Sequence, residues 1–408
     1  MPETERTLNR HRRAAALIAM AAVVIAAAGF PYLRPTAAPK QANVPSSVSP
    51  QFVSTIPVAH DFISPSMGWA SLIFVPPSSQ DPQFRVFRTV DGAKHWQLQL
   101  SGPSRSTGLG FSPITVQFFG KTRGFIVVGE PVEQLYRTAD GGARWDSVSL
   151  PPSARIDNVA FSDASNGWVL AAPLSPLPAA QLKTGPQALR LYATRDGGNS
   201  WERLADPPVD ASSLDFRRPT EAWIGGFGPG PPHVYNSSDA GQSWQRHDLP
   251  APAGGAWTAD RFFPTFPTSI QLLPNVGAFA TVEAIRCLVV STSSGAATCV
   301  NATSDIFVFA SVDGGITWKR MPHPPGSIAY QDSVHWWATN ADALMKSADA
   351  GQSWRQVATM PAGWQFLAAG ILDSKHAWSS LFLVGGYGLA LTSDGGLHWT
   401  LAKVPQPT

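Results

Sequence analysis

One eight-residue segment constrains this chain more than anything else in it. Thr/Ser-x-Asp-x-Gly-x-x-Trp recurs as TVDGAKHW (89–96), TADGGARW (138–145), TRDGGNSW (194–201), SSDAGQSW (237–244), SVDGGITW (311–318), SADAGQSW (347–354) and TSDGGLHW (392–399). In every copy the Asp precedes the Trp by five residues, while successive Asp residues are 49, 56, 43, 74, 36 and 45 apart. A fixed short motif at variable spacing is the signature of a repeat architecture with loop insertions. A second anchor precedes each box, in MGW69, RGF125, NGW168, EAW223, GAF279, HWW337 and HAW378. Each anchor opens a short apolar run, and an alternating strand such as QLYRT (134–138) leads into each box. One repeat therefore reads as four strands, A to D, with the box in the C–D turn. Seven such units predict an all-β, seven-bladed β-propeller of four-stranded blades over residues 51–405.

The residue types in the box suit a turn. Asp accepts backbone N–H bonds, Gly takes a conformation that a Cβ penalises, and Trp buries its ring beside a neighbouring strand. Asp91, Asp140, Asp196, Asp239, Asp313, Asp349 and Asp394 are accordingly read as structural, as are Trp96, Trp145, Trp201, Trp244, Trp318, Trp354 and Trp399. The first box carries Ala93 in its second Gly position, so its turn is expected to be the least regular. With twelve of the 15 Trp assigned to boxes or anchors, Trp257, Trp336 and Trp364 are left for other work.

Composition agrees with short strands. Only 14% of residues are charged, Pro and Gly number 37 and 35, and the Lys/Glu supply of long helices is missing. The net charge of +2 comes from the first forty residues; the remainder has 24 basic and 26 acidic side chains. Nothing in that balance argues for nucleic acid.

The chain opens with a basic segment (1–13), an uncharged Ala-rich run (14–33) and a Pro/Ser-rich linker (34–50). The run is close to the ~20 residues that span a bilayer, and Ala26-Ala27-Ala28 also fits a cleavage site. Signal anchor and signal peptide both remain open. On either reading the body is exported, held at the cell membrane by an N-terminal hydrophobic helix or secreted.

These boxes resemble the Asp-box (bacterial neuraminidase) repeats of sialidases, sortilin-type receptors and xyloglucanases. The DGG-x-x-W wording with a preceding GW strand is most similar to the photosystem II stability and assembly factor propellers. The resemblance covers about residues 52–404 and implies the fold; function follows from it far less directly. A sialidase site would need an early Phe/Tyr-Arg-Ile-Pro segment, and the nearest strings are YLRP (32–35) and FRRP (216–219). A general glycosidase would need two carboxylates about 5 to 10 Å apart. Glu130, Glu133, Asp206, Asp210, Asp260 and Glu283 are the loop candidates.

In a propeller the A–B turns and boxes share one end, and the B–C and D–A connections share the other. Insertions here fall on the second end, at Pro76–Gln83, Ala172–Leu189, Gly225–His233, Arg286–Ser304, Ser101–Phe111 and Pro250–Pro267. Binding is expected on that decorated face, with Arg105, Arg155, Lys183, Arg190, Trp257, Arg261 and Arg286 as candidates. Cys287 and Cys299 flank a Ser/Gly-rich centre, and an exported hairpin permits a disulfide between them. The resulting expectation is a monomeric, non-enzymatic module without metal or cofactor that binds a protein partner, such as a membrane complex. An extracytoplasmic glycosidase acting on a glycan is the alternative. Whether the 74-residue step hides an eighth blade, and how the ring closes, stay open at this point.

Overall fold

The computed structural model describes residues 59–74, 82–104, 114–129, 134–151, 154–173, 189–208, 211–226, 230–251, 257, 268–272, 277–291, 297–322, 326–340, 343–383 and 386–403. The N-terminal basic, apolar and linker segments lie outside them. These residues form 28 strands and seven four-stranded antiparallel sheets, each built from consecutive strands. Blades 1 to 7 occupy 59–103, 114–147, 154–203, 211–248, 268–320, 327–359 and 365–401. The fold is an all-β seven-bladed propeller.

The long step between the fourth and fifth boxes holds one blade. Its B strand (Ala278–Ser291) and C strand (Ala297–Ser311) are stretched to 14 and 15 residues, so the insert continues two strands of blade 5. The A strand (Thr268–Leu272) pairs with B only as far as Val282, and the two-residue D strand pairs Phe309 with Arg320 and Ala310 with Lys319. Beyond that point B and C pair with each other, giving a two-stranded ribbon at the B–C end.

A repeated sandwich holds the blades together. The anchor ring on strand B of one blade stacks on a ring near the end of strand A in the next: Trp69 on Phe118 (3.4 Å, 7°), Phe125 on Phe161 (3.7 Å, 14°), Trp168 on Phe216 (3.4 Å, 10°) and Phe279 on Tyr330 (4.3 Å, 3°). Leu272 fills that place against Trp223, and Ile371 against Trp337. Each of these residues precedes the anchor of its own blade by seven positions. It lies across the residue just before that anchor, which explains the glycine there. A Cβ on Gly68 would stand 2.2 Å from Phe62, and one on Gly124 would stand 2.6 Å from Phe118. Blades 4, 5 and 7 use Ala at that place, and blade 6 uses Trp336. Trp336 is therefore architecture, edge-on to both Phe279 (4.5 Å, 90°) and Tyr330 (5.0 Å, 88°).

The same device closes the ring. Phe62 of blade 1 stacks on Trp378 of blade 7 (4.1 Å, 8°), and Ala70, Leu72, Phe87 and Ala93 join Leu372 and Leu389 in one core. All four strands of the last sheet come from its own stretch of chain, so among the described residues no strand is shared across the seam. Other seams add polar ties. Asp61 accepts the Phe118 N–H (2.6 Å), and Asp215 accepts that of Leu272 (3.0 Å).

Candidate functional site

The two ends of the ring differ, and the box end is the regular one. In each box the Thr or Ser hydroxyl donates to the Asp and accepts the N–H four residues on. For Thr194 these bonds are 2.7 Å to Asp196 and 2.8 Å from Gly198. The Asp then accepts the N–H of the residue before Trp, as Asp239 does from Ser243 (2.9 Å). Its second oxygen takes a side chain at that same position, Ser200 (2.7 Å), Ser243 (2.6 Å), Thr317 (2.5 Å) or Ser353 (2.5 Å). Where that residue is His95 or His398, the imidazole Nδ1 meets the carboxylate at 2.6 or 2.7 Å.

These donors stabilise the ionised carboxylate. The Ser243 hydroxyl above all pulls Asp239 down to about 2 from the ordinary 3.8, and the His95 N–H does the same for Asp91. Asp196, Asp313, Asp349 and Asp394 are drawn to about 2 in the same way, and Asp140 is lowered mainly by the Arg144 N–H. A carboxylate held this firmly as an acceptor is poorly suited to proton transfer near neutral pH.

The middle pair of each box is left-handed, which is why Gly dominates there. Ala93, Ala240 and Ala350 nevertheless adopt φ of 67°, 65° and 58°. The first box is as regular as the rest, contrary to the expectation from its Ala93. The Ala93 N–H reaches Thr89 at 2.9 Å, and its methyl is accommodated in the closing core. Box Trp rings dock edge-on against the sandwiches, Trp145 on Phe118 (5.9 Å, 89°) and Trp318 on Trp223 (5.9 Å, 78°). Cations cover several sandwiches, with Lys346 Nζ 3.6 Å above Trp337 and Arg195 5.5 Å from Trp168. Arg137 crosses from blade 2 to donate to Gly197 O (3.0 Å) and Asn199 (2.6 Å) in the third box.

The decorated end is less uniform. Arg105, Lys183 and Arg261 lie outside the described residues, as do the carboxylates Glu130, Glu133, Asp210 and Asp260. Arg155 and Arg286 are placed by backbone alone, opposite Ala172 and Thr303. Arg190 opens strand C of blade 3, half-buried opposite Ala171. Asp206 is ion-paired with Arg203 (2.9 Å), and Glu283 stands opposite Ile306 two blades away, so these two do not form a pair. Trp257 is half-buried against the core of blade 5. It packs edge-on against Phe307 (5.2 Å, 88°), and its indole donates to Leu249 O (3.4 Å). The ribbon register puts Cys299 opposite Val289 and gives the expected Cys287–Cys299 bridge no support; both side chains lie outside the described residues. Among the described residues no His/Cys/Asp/Glu group suits a metal, and no helix is long and apolar enough to cross a membrane.

No protein-family model matches the chain, and no curated protein does. Solved structures do. One of YCF48 bound to a D1 peptide is 17% identical, covering 88% of this chain and 95% of that one at a TM-score of 0.49. The polysaccharide lyase Uly1 is 8% identical, covering 87% and 94% at 0.51. A prolyl endopeptidase structure is 12% identical, covering 87% and 50% at 0.52. At such identities the likeness to the last two is one of fold, which non-enzymatic and enzymatic propellers share. The sequence repeats and the strand pairing agree on one conclusion: the described residues form a seven-bladed propeller.

Proposed function

We propose that this propeller is a non-enzymatic scaffold, exported and tethered by its N-terminal segment, which holds a protein partner on the end opposite the boxes. One observation carries the reading. The box end is closed by uniform short turns, while blade 5 sends a two-stranded ribbon, Glu283–Ser291 against Ala297–Ile306, past its own A and D strands at the other end. Seven sandwiched seams make a rigid ring, and a rigid ring with uneven loops at one end is a framework for recognition. The expected partner is a protein complex at the membrane surface.

The test pairs two loop replacements, a short Gly/Ser turn for residues 285–304 and another for 174–188. Both proteins should unfold at the wild-type temperature while co-purification of membrane-protein partners falls away. Hydrolysis of sialosides or β-glucans, abolished by one carboxylate substitution, would replace this reading with the glycosidase alternative.

A further inference from the structure

Strand pairing leaves one long edge open, on the inner side of blade 5. In the other blades strand A accompanies strand B to within three residues of its end. In blade 5 it stops at Thr268, opposite Val282, and strand B runs on to Ser291. Pro264 and Pro267, just upstream of Thr268, have no N–H to lend a ladder. Strand C covers one side of Glu283–Ser291, and among the described residues no strand covers the other. Every second residue of that stretch therefore turns its N–H and C=O to the open edge.

Open edges in natural sheets are commonly blunted by Lys, Pro or a bulge. This one has none of the three. From Cys287 to Ser291 the sequence is Cys-Leu-Val-Val-Ser, and Glu283 and Arg286 are the only charged residues of the whole strand. The ribbon's bulge is on strand C, where Asn301 and Ala302 both fall opposite Cys287, so strand B runs straight. The occupant that fits such an edge is the same edge of a second copy. Antiparallel pairing about a two-fold axis matches each outward N–H to a C=O of the identical strand. Full overlap of the nine residues 283–291 puts Cys287, the middle one, on the axis. Glu283 then falls opposite Ser291, and Arg286 opposite Leu288, so no charge is set opposite its own sign. Such an overlap gives about nine main-chain bonds, close to the ~10 direct bonds of a typical whole interface.

We infer that strand B of blade 5 pairs with strand B of a second copy, joining two rings into a dimer along Glu283–Ser291 with Cys287 at its two-fold axis. This departs from the monomer expected from the sequence. It needs neither export nor a tether, so it stands apart from the scaffold reading. Eight residue steps at ~3.3 Å set the two decorated ends about 26 Å apart, face to face. The ribbons meet by their inner edges, which leaves the strand C side of each for another protein. Opposed Cα atoms in an antiparallel pair are ~4.5–5.5 Å apart, within the span of a disulfide. The two Cys299 residues, on the outer strands of the joined ribbons, are more than ~14 Å apart and outside that span.

The experiment uses the full chain in detergent micelles. Sedimentation equilibrium should give a protein mass that rises with concentration from one chain toward two. Copper–phenanthroline with dissolved oxygen takes two electrons and two protons from a pair of thiols. It should link Cys299→Ser chains into dimers through Cys287, whereas Cys287→Ser chains, which keep Cys299, should stay single. Leu288→Lys sets a positive charge opposite Arg286 at two places in the dimer, and Leu288→Glu sets a negative one there. Dimerisation should be about tenfold or more weaker for Leu288→Lys than for Leu288→Glu. Both variants trade the same Leu for a charge, so the comparison cancels a general effect on folding. A single-chain mass at every concentration overturns the inference. So does linkage through Cys299 as readily as through Cys287, or equal dissociation constants for the two Leu288 variants.

Discussion

Removing one ring from a sandwich tests whether the seams carry the fold. Phe216→Ala acts on the seam between blades 3 and 4, and Phe62→Ala acts on the closing seam between blades 7 and 1. Both rings are nearly excluded from solvent, at 1% and 5% exposure. A phenyl group that loses its burial gives up on the order of 150–200 Å² of apolar contact, worth ~4–5 kcal/mol at about 25 cal/mol per Å². Partial collapse of the cavity sets the expected cost at ~3–5 kcal/mol for either substitution. The two should differ in how the damage spreads. The interior seam is flanked by further seams on both sides, and Asp215 ties the neighbouring blade through the Leu272 N–H. The closing seam joins the two ends of the described chain and shares no strand. Urea unfolding measures the loss, and native-state hydrogen exchange locates it. Phe62→Ala should release amides first in strands A and B of blade 1 and strands B and C of blade 7. Phe216→Ala should lower protection across the ring. A loss below about 1 kcal/mol in either variant would refute the idea that these stacks bind blade to blade.

Three further outcomes are expected. Gly314→Ala adds a methyl with nothing within 4 Å at φ +75°, the conformation Ala240 and Ala350 already adopt, and should cost ~1 kcal/mol; Gly315→Ala places its Cβ 1.8 Å from Trp223 and should cost more than ~3 kcal/mol, both read by denaturant titration. Turn donors hold Asp196, Asp239 and Asp313 near 2 in the fold against the ordinary 3.8, so their stabilisation is complete above about pH 4 and drains away as pH falls toward 2. Melting temperature should fall over that window, Asp239→Asn should flatten the fall, and a constant melting temperature would contradict the turn chemistry. Glu221→Gln leaves the buried Arg217 (2.9 Å away) without its counter-charge and should destabilise by ~1–3 kcal/mol, discounted because Glu221 is partly exposed.

Blade number and box chemistry were legible because each box is a local event. Thr194, Asp196 and Gly198 bond to one another within five residues, so identity and spacing say nearly everything. The partner of each anchor was not seen, because Phe62, Phe118, Phe161, Phe216, Leu272, Tyr330 and Ile371 share a place rather than a residue type. Their constant seven-residue offset from the anchor is present in the sequence, but only the stacking gives it meaning. Trp336 misled for a related reason: a Trp outside the repeat can serve packing between elements as well as a Trp inside it. The candidate binding face was readable only as a distribution of loop lengths, since chemistry brought together by folding leaves no fixed spacing behind.

Each blade is one uninterrupted stretch of chain, and the junction of the last with the first uses the same ring-on-ring contact as four of the other six. The order in which the blades are synthesised is therefore not written into their geometry. A gene rejoined tail to head and opened at any link between blades should encode the same ring, with its termini moved to a chosen point on the circumference. A gene that gained or lost one whole unit would meet a seam it already knows how to make.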